Sequence, residues 1–132
     1  MRIKVTLVDH PENPGAQKDF TIVITDTCET PTVTASSLSN EVYVIGTGAA
    51  STPAFAAFTF TPVYCPITYS MSSISPALPT ADPSAITLDA TNRLYSFNSV
   101  NLPSKALYTV TTTALTPLGV DTGVSFDFTV DF

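Results

Sequence analysis

Apolar and polar residues alternate with a period of two along most of this chain. The pattern is clearest in Ile3-Lys-Val-Thr-Leu-Val, Phe20-Thr-Ile-Val-Ile-Thr, Glu41-Val-Tyr-Val-Ile and Val124-Ser-Phe-Asp-Phe-Thr-Val. Such alternation predicts strands with one buried face. Further strands are expected at residues 32–36, 55–61, 65–70, 85–90, 93–97 and 107–114. In the segment 65–70, Ile67 and Tyr69 fall on the same face. The aromatic residues of segment 55–61 are expected in the core, although that segment alternates imperfectly. Residues 72–84 are rich in Ser and Pro and have no period, so they are read as a connection. No window holds a helical apolar period, and eleven prolines interrupt the long stretches. Strands every 8–15 residues or so, separated by turns, predict an all-β immunoglobulin-like sandwich.

The chain also resembles itself. An offset of about 106 positions places Phe20 on Phe126, Pro11 on Pro117 and Thr6 on Thr112. Each copy reads strand, Pro-containing loop, strand. One sandwich module is roughly 100 residues. The expected organisation is therefore a terminal β-hairpin at 1–27, belonging to or completing a preceding module, and a whole sandwich at 28–132. The 28–31 segment is the junction, where Pro31 stiffens the passage.

Composition narrows the function. Charged residues make up only 12% of the chain, about half the usual share. Thr and Ser fill the gap. A hydroxyl surface suits an extracellular protein or a packed fibre, although Thr also favours strands for its own reasons. The net charge is −6 and the five basic residues are scattered, so no stripe exists for phosphates and nucleic acid is excluded as a partner. No apolar run is long enough to insert in a membrane. Cys28 and Cys65 stand far apart with no His nearby, which is too few ligands for zinc. They are either one disulfide or two buried thiols, and the extracellular-looking composition favours the bridge.

Little here suggests catalysis. His10, the single histidine, sits in a Pro-rich loop with no nucleophile elbow. Gly46-Thr-Gly48 lacks the rest of a phosphate loop. No Asn-x-Ser/Thr sequon occurs, which leaves O-linked sugar as the glycan option. The best candidates for it are Ser72, Ser73, Ser75, Thr80 and Ser84. Tyr108 is either a core tyrosine or a tyrosine-corner analogue.

One resemblance adds to this. Cys65-Pro-Ile-Thr-Tyr-Ser, Ile86-Thr-Leu-Asp-Ala-Thr-Asn-Arg-Leu, Tyr108-Thr-Val-Thr-Thr-Thr-Ala and Ser125-Phe-Asp-Phe-Thr-Val together resemble cadherin-like modules of the dystroglycan type. They are similar above all to the two-cysteine repeats of protist surface proteins, including mastigonemes and ciliary surface fibres. In those repeats an Asp-x-Cys junction follows a last strand, as Ile24-Thr-Asp-Thr-Cys28 does here, with Asp26 and Thr27 at the junction. Cys65 matches the second cysteine. The resemblance covers about residues 20–132. It implies a tandem, often glycosylated extracellular module for adhesion or fibre building, with copies of itself as partners. Calcium-binding cadherins cluster acids at their junctions, and calcium needs six or more oxygens. Only Asp26 and Glu29 stand at this junction, with Asp89 and Asp121 elsewhere, so they are read as solvated acids and no cofactor is expected. The expectation is a structural subunit of a cell-surface or ciliary fibre. A carbohydrate- or protein-binding sandwich and a viral or phage structural protein are the alternatives. An enzyme is not expected.

Overall fold

A computed structural model describes residues 2–8, 17–23, 28 and 30–132. The chain is all-β: among these residues the only helical element is a 3-10 turn at Leu102–Ser104. Two strands, β1 (Arg2–Val8) and β2 (Gln17–Val23), form an antiparallel two-stranded sheet of their own. The remaining strands are β3 (Thr32–Thr34), β4 (Glu41–Val42), β5 (Ala50–Ser51), β6 (Thr59–Thr61), β7 (Thr68–Ser75), β8 (Ile86–Asp89), β9 (Leu94–Phe97), β10 (Leu107–Leu115) and β11 (Asp121–Asp131).

These build two layers. One sheet has the order β4-β11-β10-β7, with β4 running parallel to β11. The other layer holds β5-β9-β8, and β3-β6 carries it on. The stretch between β5 and β6 follows β9 without regular pairing: Thr52 N–H donates to Tyr95 O at 2.9 Å and Phe55 N–H to Arg93 O at 2.8 Å. The first strand of the sandwich is thus split. Its β3 half joins one layer and its β4 half the other. This is the immunoglobulin constant-type arrangement, with a parallel edge strand added.

The layers meet through alternating inward residues. Tyr108, Val110, Phe126, Phe128 and Val130 come from one sheet, and Ile86, Tyr95 and Phe97 from the other. Tyr95 and Phe128 pack with ring centroids 4.8 Å apart. Phe55 and Phe58 lie three residues apart, yet both are buried, and both pack against Tyr69 and Phe126. No straight strand can do that, which explains why regular structure there begins only at Thr59.

Three expectations need correction. The strand read at 41–45 stops at Val42. Tyr43 N–H still donates to Asp131 O at 2.8 Å, but a turn then follows, with Thr47 N–H donating to Val44 O. Gly46 at φ +85° supplies the left-handed backbone that the turn requires. Second, β7 begins at Thr68 rather than at Cys65 and extends to Ser75, so Ser72, Ser73 and Ser75 belong to a strand and not to a loop. The register shifts between Thr111 and Thr112, and this bulge lets Met71 and Ile74 both pack against the core at a spacing of three. The bulge is what hid the period. Third, the two hairpins differ in register. Thr6 pairs with Asp19, whereas Thr112 pairs with Phe126 rather than with Ser125. One offset cannot superpose both strands of each, because a one-residue slip inverts the faces.

Candidate assembly surfaces

The two ends of the sandwich are reached by different parts of the chain. Thr32 pairs with Thr61, Leu115 with Thr68 and with Asp121, so the junction, the 62–67 loop and the β10–β11 turn share one end. β11 then runs its 11 residues to the other end, a span of roughly 35 Å at the usual strand rise. There it meets β4, and Phe132 N–H donates to Ala106 O at 3.0 Å. The chain therefore comes in at one end and leaves at the opposite one.

At the leading end Cys28 and Cys65 form a disulfide, with Cα atoms 5.4 Å apart. Cys65 is buried and its N–H closes a turn onto Pro62 O at 3.1 Å. The bond ties the chain just ahead of β3 to the loop between β6 and β7. Pro31 is half-buried and directly precedes β3. Asp26, Thr27 and the imidazole of His10 lie outside the described residues. Among the described residues no group of three or more His, Cys, Asp or Glu side chains could hold a metal. Asp89 and Asp121 serve their own turns: Asp89 accepts from Asn92 N–H and from Asn92 Nδ2, and Asp121 accepts from Gly123 N–H. The Asn92 bonds, from the backbone first and then the side chain, hold the Asp89 carboxyl below its ordinary pKa.

The trailing end is held by a buried polar cluster that sequence reasoning missed. Asp82 Oδ2 accepts from Ser99 Oγ, and from Ser104 Oγ at 2.8 Å. These bonds, Ser99 first, keep the carboxyl below its ordinary value despite the opposing effect of burial. The Ser99 backbone N–H in turn donates to Tyr43 OH, which donates to Gly48 O at 2.9 Å. Tyr108 OH donates to Ser104 O, four residues upstream, at 2.8 Å. That is the tyrosine-corner contact, and the Tyr108 ring is buried as well. Burial pushes its phenol up, and the nearby Asp82 charge adds to this. One cluster thus locks the 99–104 segment, the 43–48 turn and the start of β10 together. Its only sequence signal is the four-residue spacing of Ser104 and Tyr108.

Next to this cluster lies a hollow of about 340 Å³, lined by Val42, Val44, Ile45, Leu102, Lys105 and Phe132 among others. The walls Val42, Val44 and Leu102 are 77%, 63% and 77% exposed, while Phe132 below them is buried.

The outer face of the β11-β10-β7 sheet is made of hydroxyls. Thr109, Thr111 and Thr113 stand opposite Ser75, Ser73 and Ser70 on one side and Thr129, Asp127 and Ser125 on the other. Ser72 Oγ and Thr113 Oγ1 share a bond of 2.7 Å, and Ser73 Oγ donates to Thr111 Oγ1 at 2.9 Å. Of the five glycan candidates, then, Ser72 and Ser73 are tied into the sheet. Thr80 and Ser84 are exposed in the β7–β8 connection.

Comparison with known proteins gives no family. No protein-family model matches the chain, and no curated protein does either. Among solved structures, the chain is similar to a SusE-like surface-located polysaccharide-binding protein from the Bacteroides thetaiotaomicron heparin utilisation locus. The identity is 15% and the TM-score 0.47. The match covers 76% of this chain but spans only 15% of that protein's length.

Proposed function

We propose that this chain is a structural module of an extracellular fibre on a cell or ciliary surface, with further copies of the same module as its partners. The observation that carries this reading is the path of the chain. A self-paired hairpin precedes a disulfide-pinned junction, and the sandwich then passes the chain to its far end. A module wired this way can be repeated by simple translation, and a contact between unlike ends that does not close builds an open filament. The dystroglycan-type, cadherin-like resemblance of residues 20–132 points the same way.

Other features fit. A structural disulfide belongs to an oxidising compartment. The hydroxyl face lacks Lys and Arg, and its charge comes from a few carboxylates, so it suits close lateral packing or a sugar coat. Thr80 and Ser84 are the better O-glycan acceptors. The role asks for no reaction chemistry and no cofactor. The module resists extension and joins to the next, either through module–module faces or by strand donation.

A binding module is the second reading. It rests on Tyr64, the one tyrosine that is mostly exposed, since carbohydrate sites present exposed rings. Electron microscopy of native material containing the chain decides between them. Filaments with an axial repeat of roughly 30–50 Å, one sandwich length, support the fibre. Discrete particles, together with a positive glycan array that Tyr64→Ala abolishes, overturn it in favour of binding.

A further inference from the structure

We propose that the hollow between the β8–β9 turn and the start of β7 binds a sugar acid, with Arg93 holding its carboxylate. The site goes beyond the fibre reading and does not depend on it, because a fibre module and a free binding module can each carry it.

The site is built around one guanidinium. The turn after β8 leads into β9, and its residues Ala90, Thr91 and Arg93 line a hollow of about 290 Å³ together with Ile67, Thr68 and Tyr69. Arg93 stands at φ +57° and is the only non-glycine residue in the left-handed region among the described residues. A long side chain there is costly, and such outliers collect at functional sites. The side chain is half-buried and held in place. Its Nε donates to Phe55 O at 3.1 Å, while Arg93 O accepts from Phe55 N–H at 2.8 Å. That grip uses Nε and leaves both terminal nitrogens as donors. Among the described residues no carboxylate pairs with them. Asp89, which ends β8, is occupied by Asn92. A half-buried cation without a counter-ion is unfavourable, and an anionic ligand relieves it.

The lining selects the ligand. A planar fork matches the paired oxygens of a carboxylate. No second cation supports it: Lys105, the other basic residue after position 28, does not line the hollow. One guanidinium balances a singly charged carboxylate. A phosphate dianion would add charge to a chain already at −6, and this hollow offers it no helix N-terminus. The volume is at the small end of ligand sites and has room for about one ring. Tyr69 is a fixed wall. Its ring meets Phe55 and Phe58 edge-on with centroids 5.2 and 5.4 Å away, and its hydroxyl accepts from Phe58 N–H at 3.2 Å. Thr68 and Thr91 are exposed, and each hydroxyl can donate or accept, as the hydroxyls of a sugar do. Ile67 and Tyr69 then face the carbon side of the ring. An aspartate or glutamate side chain would use the fork and leave the threonines without partners.

Chemical-shift titration of the full chain with glucuronate tests the site. Glucose is the uncharged control, acetate the ringless one, and inorganic phosphate the rival anion. Glucuronate is expected to bind in the millimolar range and to shift the amides of residues 67–69 and 90–93. Each of the other probes should bind about tenfold more weakly or worse. Arg93→Lys keeps the charge without the fork and should weaken glucuronate by about tenfold. Arg93→Gly suits the left-handed turn, so it should abolish binding in a chain that still melts cooperatively. Glucuronate that binds Arg93→Gly as well as the parent overturns the role of the guanidinium. Phosphate that binds more tightly than glucuronate overturns the carboxylate. Oligomers of the parent that dissociate in Arg93→Lys, with no glucuronate binding, overturn the sugar and give the fork to a carboxylate of a second copy. No shift with any probe sinks the site and leaves the fibre reading standing.

Discussion

Tyr95 OH and Thr112 Oγ1 share a hydrogen bond of 2.7 Å in the interior, and the two residues belong to different layers of the sandwich. Both side chains are fully buried. The bond therefore fixes how β9 sits over β10, which apolar packing alone leaves to shape. Removing one partner strands the other away from water. Tyr95→Phe and Thr112→Val are each expected to lower stability by about 1–3 kcal/mol, while the double variant costs much less than their sum. Urea unfolding of the four proteins measures the coupling, and additive losses would mean that the bond contributes nothing specific.

The same tyrosine gives an alkaline signature. Burial pushes its phenol above the ordinary value of 10.0, against the smaller opposing effect of Thr112. The unfolded chain therefore releases this proton first as the pH rises. The stability that Tyr95 contributes is intact below about pH 10 and falls away as pH climbs through the raised folded value. Thermal melts of Tyr95→Phe should be flatter with pH over that range than those of the parent.

Asp82 works at the acid end with the opposite sign. Its folded pKa lies below the ordinary 3.8, owing first to Ser99 and then to Ser104. In that window the unfolded state binds more protons than the folded state, so stability rises with pH. The contribution is complete above about pH 5 and is lost as pH falls through the depressed folded value. Asp82→Asn should lower the melting temperature at pH 7 and flatten the slope below about pH 5. Because Asp89 is shifted in the same direction, some slope survives in that variant. An unchanged pH profile would show that the cluster does not hold the carboxylate.

The disulfide acts mainly through the unfolded chain. Cys28 and Cys65 are separated by 37 positions, and closing a loop of that length is worth about 3–4 kcal/mol in the chain-entropy model. The Cys28→Ala/Cys65→Ala double variant should lose about that much in urea unfolding while keeping its far-ultraviolet spectrum. A loss of native spectrum under mild conditions would instead mean that the bond is needed to form the sandwich.

Alternation made most of this architecture legible, because it survives wherever a strand has one buried face. β8, β9, β10 and β11 lie close to where Ala85-Ile-Thr-Leu, Leu94-Tyr-Ser-Phe, Leu107-Tyr-Thr-Val and Val124-Ser-Phe-Asp put them. Pattern reading failed where the backbone departs from a period of two. The bulge at Ser72–Ser73 turned the second half of β7 into an apparent loop, and Phe55 with Phe58 anchors an irregular crossing. The surfaces were harder still. Ser104 and Asp82 are polar letters that usually mean solvent, and only the fold brings them together. Val42 and Val44 read as ordinary strand residues and Leu102 carried no signal, because exposure at the end of a sandwich leaves no trace in a local pattern. The cysteines were legible because two alone, with no histidine nearby, have few other uses.

The expected organisation into a hairpin and a separate sandwich makes the sharpest demand on folding. Among the residues whose burial is described, every member of the buried apolar core comes from Tyr43 or later, and the partly buried residues packed on it begin at Val33. Among the described strands, β1 and β2 pair only with each other. Deleting residues 1–27 keeps Cys28, the disulfide and both layers, so the remaining chain should fold with nearly the parent melting temperature. If assembly depends on the hairpin, the truncated protein should also be monomeric at concentrations where the full chain forms oligomers. The two readouts separate two failures. A truncated chain that does not fold would make the hairpin part of this module and end the idea of a completed neighbour. A truncated chain that folds and still assembles would move the contact to the sandwich itself, with the hydroxyl face of β7, β10 and β11 as the next surface to alter.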